Sequence, residues 1–327
     1  MSIKIDEIAK IASVSTSTVS RVLCNSPLVN KETKKKVKKI LKETGYIRNI
    51  LAHNLATNKS NVIGILVADL LDPYFPQIIT KIEDILYENN YLAYIASSTR
   101  SLEREKKIVD KFLENKVAGS IVIGGNNNAD NLKKITDNKI PLVLIGKLVK
   151  GFDVPSVIID NKKASFELTE YLIKNNKKHI SFIGGNKESF VAIERFKGYK
   201  NALKHYGIKM NRNIIRHGNF SMNSGYNLAK SIFSKNNKID SIFAASDNIA
   251  IGAINFLKDY NQKLLKQIKI VGLDDIEVAK IIDPPLTTVH IPTDKFGKIG
   301  TELLLKLINK KKIIDKKVIL KHKLVIR

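Results

Sequence analysis

Apolar residues recur at helical spacing three times before residue 46: Ile5, Ile8, Ala9 and Ala12, then Val19, Val22 and Leu23, then Val37, Ile40 and Leu41. Asn30 stands where the third helix needs a cap and Gly45 where it needs to stop. From residue 61 the pattern changes to short apolar runs separated by amphipathic stretches. Strands are predicted at 62–69, 91–97, 119–124, 141–146 and 157–160, with helices at 74–89 and 103–115 between the first of them. A second series has strands at 179–185, 241–246 and 268–275, and helices near 161–175, 191–206, 222–235 and 247–260. Strands alternating with helices imply parallel sheets covered on both faces. Two such series predict two α/β lobes, with a ligand cleft at the carboxyl ends of their strands.

The first two helices flank the turn Ser13-Val14-Ser15 and, packed at a steep angle, form a helix-turn-helix. Val19, Val22 and Leu23 then face the first helix, leaving Thr16, Ser17, Ser20 and Arg21 on the open side. That stripe is short and polar enough to enter a major groove, where Arg21 offers a fork to a guanine or a phosphate. The alternative makes Ser15 a helix cap and the rest a solvated face. Residues 46–60 belong to neither part: a helix of two turns there is marginal alone, so it is either a linker or a helix that forms on binding.

A chain of 327 residues exceeds a comfortable single core, and two or three domains are expected. Its net charge of +25 points to a polyanionic partner, although lysine is abundant throughout. The first 60 residues hold twelve basic and four acidic side chains, about twice the net positive charge per residue of the remainder. One cysteine, Cys24, excludes an internal disulfide framework, and six scattered histidines give no metal-binding pair. No apolar run long enough for a membrane span or a secretory signal is present, so a cytoplasmic protein is expected. Gly124-Gly125 and Gly184-Gly185 follow strands but lack the pattern that cradles phosphates.

The stretch IDEIAKIASVSTSTVSRVL, with NKETKKKV, GYIRN and LAHNLAT after it, resembles the DNA-binding end of the LacI/GalR family of bacterial transcription regulators. The remainder resembles that family through DPYF at 72–75, ERFKGY at 194–199, SDNIAIGA at 246–253, VGLDD at 271–275 and PPLTTV at 284–289. The resemblance implies an α/β protein with an N-terminal three-helix helix-turn-helix domain plus hinge helix. A two-lobed, periplasmic-binding-protein-like effector domain with parallel sheets would follow. The corresponding bounds are 1–47 for the helix-turn-helix, 48–60 for the hinge, and 61–327 for the effector-binding and dimerisation part. Its N-lobe would take about 61–160 and 292–317, and its C-lobe about 161–291 and 318–327.

The resemblance also implies roles. Ser15, Thr16, Ser17, Ser20, Arg21 and Asn25 would meet operator DNA from the helix-turn-helix. Asn49, Ala52, Leu55, Ala56 and Lys59 would do so from the hinge, with Leu55 wedged between base pairs of the minor groove. Cys24 departs from the asparagine common in relatives. A homodimer on a pseudo-palindromic operator follows. The effector site would gather Asp72, Tyr74 and Phe75 from one lobe, Arg195, Ser246 and Asp274 from the other, and Asp160 at a strand end. Asp247 is expected to cap the helix that follows it. Carboxylates, a guanidinium and an aromatic face suit a sugar or sugar phosphate. Ile291 replaces a usually polar residue.

The function expected is a sequence-specific repressor of a carbohydrate-use operon, with neither metal nor cofactor and no catalysis. A regulator responding to a purine or a phosphorylated carrier protein is the alternative. A solute-binding receptor without DNA function is opposed by residues 1–60, since the two-lobed fold alone does not settle function.

Overall fold

A computed structural model of the chain describes residues 3–23, 25–46, 60–126, 128–235 and 238–327. Of the hinge helix expected at 48–60, residues 48–59, with Asn49, Ala52, Leu55, Ala56 and Lys59, lie outside the described residues, as does Cys24. The chain divides into two compact units, Met1–Lys59 and Ser60–Arg327.

The first unit contains α1 (Ile5–Ala12), α2 (Thr16–Leu23) and α3 (Lys31–Glu43). Helices of eight residues are too short to persist alone in water, and packing holds them. Ile8, Ala9, Ala12, Val19, Val22 and Val37 form a closed apolar cluster. Ser13 ends α1 in the left-handed region, and the Val14 amide donates to the Ala9 carbonyl at 3.0 Å. Asn30 caps α3 by accepting from the Thr33 amide at 2.7 Å, as its place in the sequence predicts.

The second unit opens with β1 (Val62–Val67), α4 (Tyr74–Glu88), β2 (Leu92–Ser97), α5 (Leu102–Glu114), β3 (Gly119–Ile123), α6 (Asp130–Asp137), β4 (Leu142–Ile145) and β5 (Ser156–Ile159). There follow α7 (Asn161–Lys174), β6 (Ile180–Gly184), α8 (Phe190–His205), β7 (Ile215–His217), α9 (Met222–Phe233), β8 (Ser241–Ala244) and α10 (Asp247–Tyr260). The chain closes with α11 (Gln262–Gln267), β9 (Lys269–Val271), α12 (Val278–Ile281), β10 (Thr288–His290), α13 (Thr293–Ile308), β11 (Lys317–Leu320) and β12 (Lys323–Val325). One sheet has the order β11-β5-β4-β3-β1-β2 and the other β7-β6-β8-β9, and every pairing in both is parallel. Strands β3, β4 and β5 are buried along their whole length, as parallel strands covered on both faces must be.

The two sheets are the two lobes, and the chain crosses between them three times. The first crossing is at Asp160–Asn161. The second runs from β10 into α13, which packs on α4 and on the strands β3 and β4 of the first sheet. At Gly297 of this helix an added Cβ would lie 2.7 Å from the Ile78 carbonyl, so only glycine allows that approach. The third crossing separates β11, paired with β5, from β12, paired antiparallel with β10. Because β11 extends the first sheet to Leu320, the last return falls a few residues beyond the expected 318. No helix of the described residues is long and apolar enough to cross a membrane.

Candidate functional site

In the first unit the sequence folds so that its apolar side chains turn inward and α2 presents Thr16, Ser17 and Arg21 to solvent. Ser15 sits one residue ahead, and its hydroxyl accepts from the Thr18 amide at 3.2 Å, which is the capping geometry. The same oxygen lies 2.7 Å from the Ser17 hydroxyl, so cap and stripe are linked. Ser20 is half-buried beside the core, and Asn25 is exposed in a left-handed turn. The Asn25 carbonyl accepts from Lys34 Nζ at 3.2 Å, tying the turn to α3. On α3 itself Lys31, Lys35, Lys36, Lys38, Lys39 and Lys42 are exposed. A polar stripe beside a lysine-rich helix has the chemistry of a base-reading and phosphate-binding surface.

The second unit builds its site at the carboxyl ends of both sheets. Arg195, on α8 and 4% exposed, spends its guanidinium on three acceptors: Asn161 Oδ1 at 2.9 Å, the Ala245 carbonyl at 2.5 Å and Asp274 Oδ1 at 2.9 Å. It thereby fixes the first lobe crossing, the end of β8 and the loop after β9 about one charge. Burial pushes the Asp274 carboxyl up to about 8, opposed by Arg195 and reinforced by Asp247 and Asp72. The Asp274 backbone is held at φ 126° and Asp275 at 57°, conformations that L-residues rarely adopt and that cluster at ligand sites.

Facing this set from the other lobe, the Asp72 carboxylate accepts from the Tyr74 amide at 3.2 Å, from Arg100 Nη2 at 3.1 Å and from Asn248 Nδ2 at 3.1 Å. Asp72 is raised from the ordinary carboxylate value by burial, with Arg100 pulling the other way. Burial also raises the Tyr74 phenol, which feels Asp274, Arg195 and Asp72 together. The Arg100 guanidinium lies 5.9 Å over the Phe75 ring and 5.1 Å over the Phe220 ring.

Asp72, Tyr74, Phe75, Arg195 and Asp274, five of the seven residues that the resemblance implies for the effector site, line one cavity. Ser246 and Asp160 do not line it. Ser246 caps α10, accepting from the Ile249 amide at 3.3 Å. Asp247, expected as that cap, is instead wholly buried, and accepts from Thr288 Oγ1 at 2.5 Å and from the Ile276 amide at 3.0 Å. Ser246 takes the cap because the chain leaves β8 at Ala244, before the predicted strand end, and α10 begins at Asp247; Asp247 is no part of the cavity lining either. Gly272 makes room for this carboxylate, since a Cβ there would lie 2.2 Å from Asp247 Oδ1. Burial raises Asp247 to about 6 against its hydrogen bonds to Thr288 and Ile276. Asp160, exposed, caps α7 through the Lys163 amide at 2.8 Å, and its neighbour Asn161 is the residue that reaches the cavity.

Arg100, Asn161 and Phe220 were not singled out in the sequence. Arg100 follows the carboxyl end of β2, the location that marks a ligand residue in such sheets. Phe220 follows β7, a three-residue strand too short to show a pattern. Ile123, Ile145, Ile159, Val191, Ile291 and Phe296 complete an apolar lining. The cavity measures about 60 Å³.

Residues 4–49 match the family described as bacterial regulatory proteins, lacI family. Residues 60–327 match periplasmic binding proteins and sugar binding domain of LacI family. The chain is 35% identical to the HTH-type transcriptional regulator RegA of Clostridium saccharobutylicum, over all of this chain and 99% of the relative. Its fold is that of the lac repressor dimer bound to operator and the anti-inducer ONPF, with a TM-score of 0.87 at 23% identity over 100% of this chain and 98% of that one. It is also similar to the regulator CelR in complex with cellobiose, with a TM-score of 0.76 at 24% identity over 99% of both chains. With both family descriptions matched in order along one chain, this protein belongs to the LacI family and is a DNA-binding transcriptional regulator.

Proposed function

We propose that the protein represses a carbohydrate-use operon and that a sugar or sugar phosphate held between the lobes changes its affinity for the operator. The observation that carries this reading is the convergence of Asp72, Arg195 and Asp274 on one cavity with the aromatic rings of Phe75 and Phe220. Fixed carboxylates and a guanidinium recognise hydroxyls in set directions, and a ring covers the apolar face of a pyranose. The reading is supported by the likeness to a cellobiose-bound regulator.

In this account Ser15, Thr16, Ser17, Ser20, Arg21 and Asn25 meet the major groove or its phosphates. Asn49, Ala52, Leu55, Ala56 and Lys59 order as a hinge helix on DNA, with Leu55 as the minor-groove wedge. Two protomers bind a pseudo-palindrome. The exposed Leu92 and Tyr94 on the edge strand β2, with Ile281 on the second lobe, supply apolar surface for the second copy. The protein works in the cytoplasm and carries out no catalysis; the cleft reports the ligand without transforming it. Effector binding sets the angle between the lobes, and that angle sets whether paired hinge helices can form.

A purine is the second reading, favoured by the planar Arg100 group lying over one aromatic ring from each lobe. The test is a thermal-shift screen of neutral sugars, sugar phosphates and purines, followed by release of labelled operator. Stabilisation confined to purines would replace the sugar reading.

A further inference from the structure

We propose that Arg100 is a tethered occupant of the effector cleft: its guanidinium fills the place of a ligand ring, latches the lobes together, and must swing out before an effector enters. The proposal rests on the reading of this cleft as the effector site. Its first support is size. About 60 Å³ of free space holds roughly four water molecules at about 15 Å³ each, whereas small-molecule sites run to about 300 Å³ or more. At this lobe spacing a ring fits only if a side chain leaves.

The lining identifies which one. Phe75, Ile123, Ile145, Ile159 and Phe296 are packed core residues, no more than 5% exposed, and Arg195 is committed to three acceptors. Arg100 alone combines a long flexible side chain with 19% exposure. Its backbone is fixed: Thr99 and Arg100 have φ of 47° and 61°, the Arg100 amide donates to the Ala68 carbonyl at 2.9 Å, and its carbonyl accepts from Asn126 Nδ2 at 3.1 Å. A pinned backbone beneath a long side chain that is held only through its guanidinium is a gate that swings and returns.

What the guanidinium touches is what a ligand would touch. It donates to Asp72 at 3.1 Å, lies 3.7 Å from Asp69 through Nε, and covers Phe75 of one lobe and Phe220 of the other. Neutralising Asp69 and Asp72 requires no contact with Phe220, whereas a latch does. The occupant also defines its replacement. With Arg100 displaced, Asp72 loses a donor, and Asp69 and Asp72 lose the cation that faces them. Asn248, whose Nδ2 holds Asp72, has a buried Oδ1 with no partner. The replacement therefore carries donors on a ring with apolar faces and is neutral or cationic; a phosphate ester directed at Asp69 and Asp72 is excluded by like charge.

Methylguanidinium tests this without knowledge of the natural effector. In full-length Arg100→Ala, methylguanidinium chloride at millimolar concentration is expected to raise Tm saturably, beyond sodium chloride at equal ionic strength. Neither the wild type nor Arg100→Ala/Asp72→Asn should respond. Small-angle scattering should show a larger radius for Arg100→Ala that contracts with the probe, with Arg100→Gln as a second vacated form. Equal responses of wild type and variant, or unchanged radii, would overturn the latch. Each sugar screened is paired with its phosphate ester: an ester that binds wild type and not Arg100→Ala would overturn the charge argument. Failure of every sugar while the methylguanidinium result holds rejects the sugar reading and keeps the latch.

Discussion

Asn248, on the second lobe, donates its side-chain amide to Asp72, on the first, at 3.1 Å. The bond joins the amino end of α10 to the loop before α4, two elements 176 positions apart in the chain. Both partners are buried, and Asp72 keeps the Tyr74 amide and Arg100, so removing Asn248 forfeits one hydrogen bond to a charged group, about 1.5–3 kcal/mol. Asn248→Ala is expected to cost about that much in urea unfolding and to loosen lobe closure without altering the first unit. A variant as stable as wild type, with an unchanged scattering radius, would show that closure does not depend on this bond.

Asp247 and Asp274 make stability depend on pH with a definite sign. Both carboxyls are raised above the ordinary value of 3.8, to about 6 and about 8, chiefly by burial. A raised carboxyl binds its proton more tightly in the folded state, so its contribution is full below 3.8 and is lost as pH rises through the folded value. In Asp247→Asn the amide oxygen can still accept from Ile276 while the amide nitrogen donates to Thr288. The wild type should therefore lose Tm relative to Asp247→Asn as pH rises from 3.8 to about 6. Taking the difference cancels the titration of other groups, and a difference of opposite sign would refute the assignment.

Arg21 stands exposed on the stripe that the first unit presents. A bidentate contact to a base is worth about 1–3 kcal/mol of discrimination, so Arg21→Ala is expected to lose about tenfold or more on a duplex selected by the wild type. Binding to a scrambled duplex should change far less. Equal losses on both would assign Arg21 to phosphate instead of base.

The lysines of α3 should act differently. Neutralising one phosphate-contacting lysine, for instance by Lys35→Gln or Lys38→Gln, lowers the slope of log affinity against log salt by about 0.9. The ratio of selected to scrambled binding should stay constant. Slopes that do not move would mean these side chains point away from the duplex.

Much of this architecture is legible in the sequence because buried parallel strands and amphipathic helices write strong patterns. The runs at 62–67 and 142–145 are continuous and free of polar side chains, 119–123 is broken only by Ser120, and each is a strand. Helix α13 escaped notice because Gly297 and Gly300, needed for close packing, break its pattern, and β11 because only alternate residues are half-buried. At the site, five cavity residues are legible from motif and strand-end position. The Ser246/Asp247 and Asp160/Asn161 assignments slipped by one residue, since a strand's last residue is decided by where its amides find partners. Arg100 escaped because a lone arginine after a strand carries no pattern; only the opposing Phe220 gives it meaning.

The central claim is that DNA and a small molecule are coupled through this chain. The most direct measurement is a reciprocal titration: operator affinity by fluorescence anisotropy with and without a compound found to bind the cleft, and affinity for that compound with and without operator. Linkage requires the two factors to be equal, and they are expected to differ from one and to match, with the effect lost in Arg195→Lys. A compound that binds the cleft and leaves operator affinity unchanged in both titrations would contradict the account.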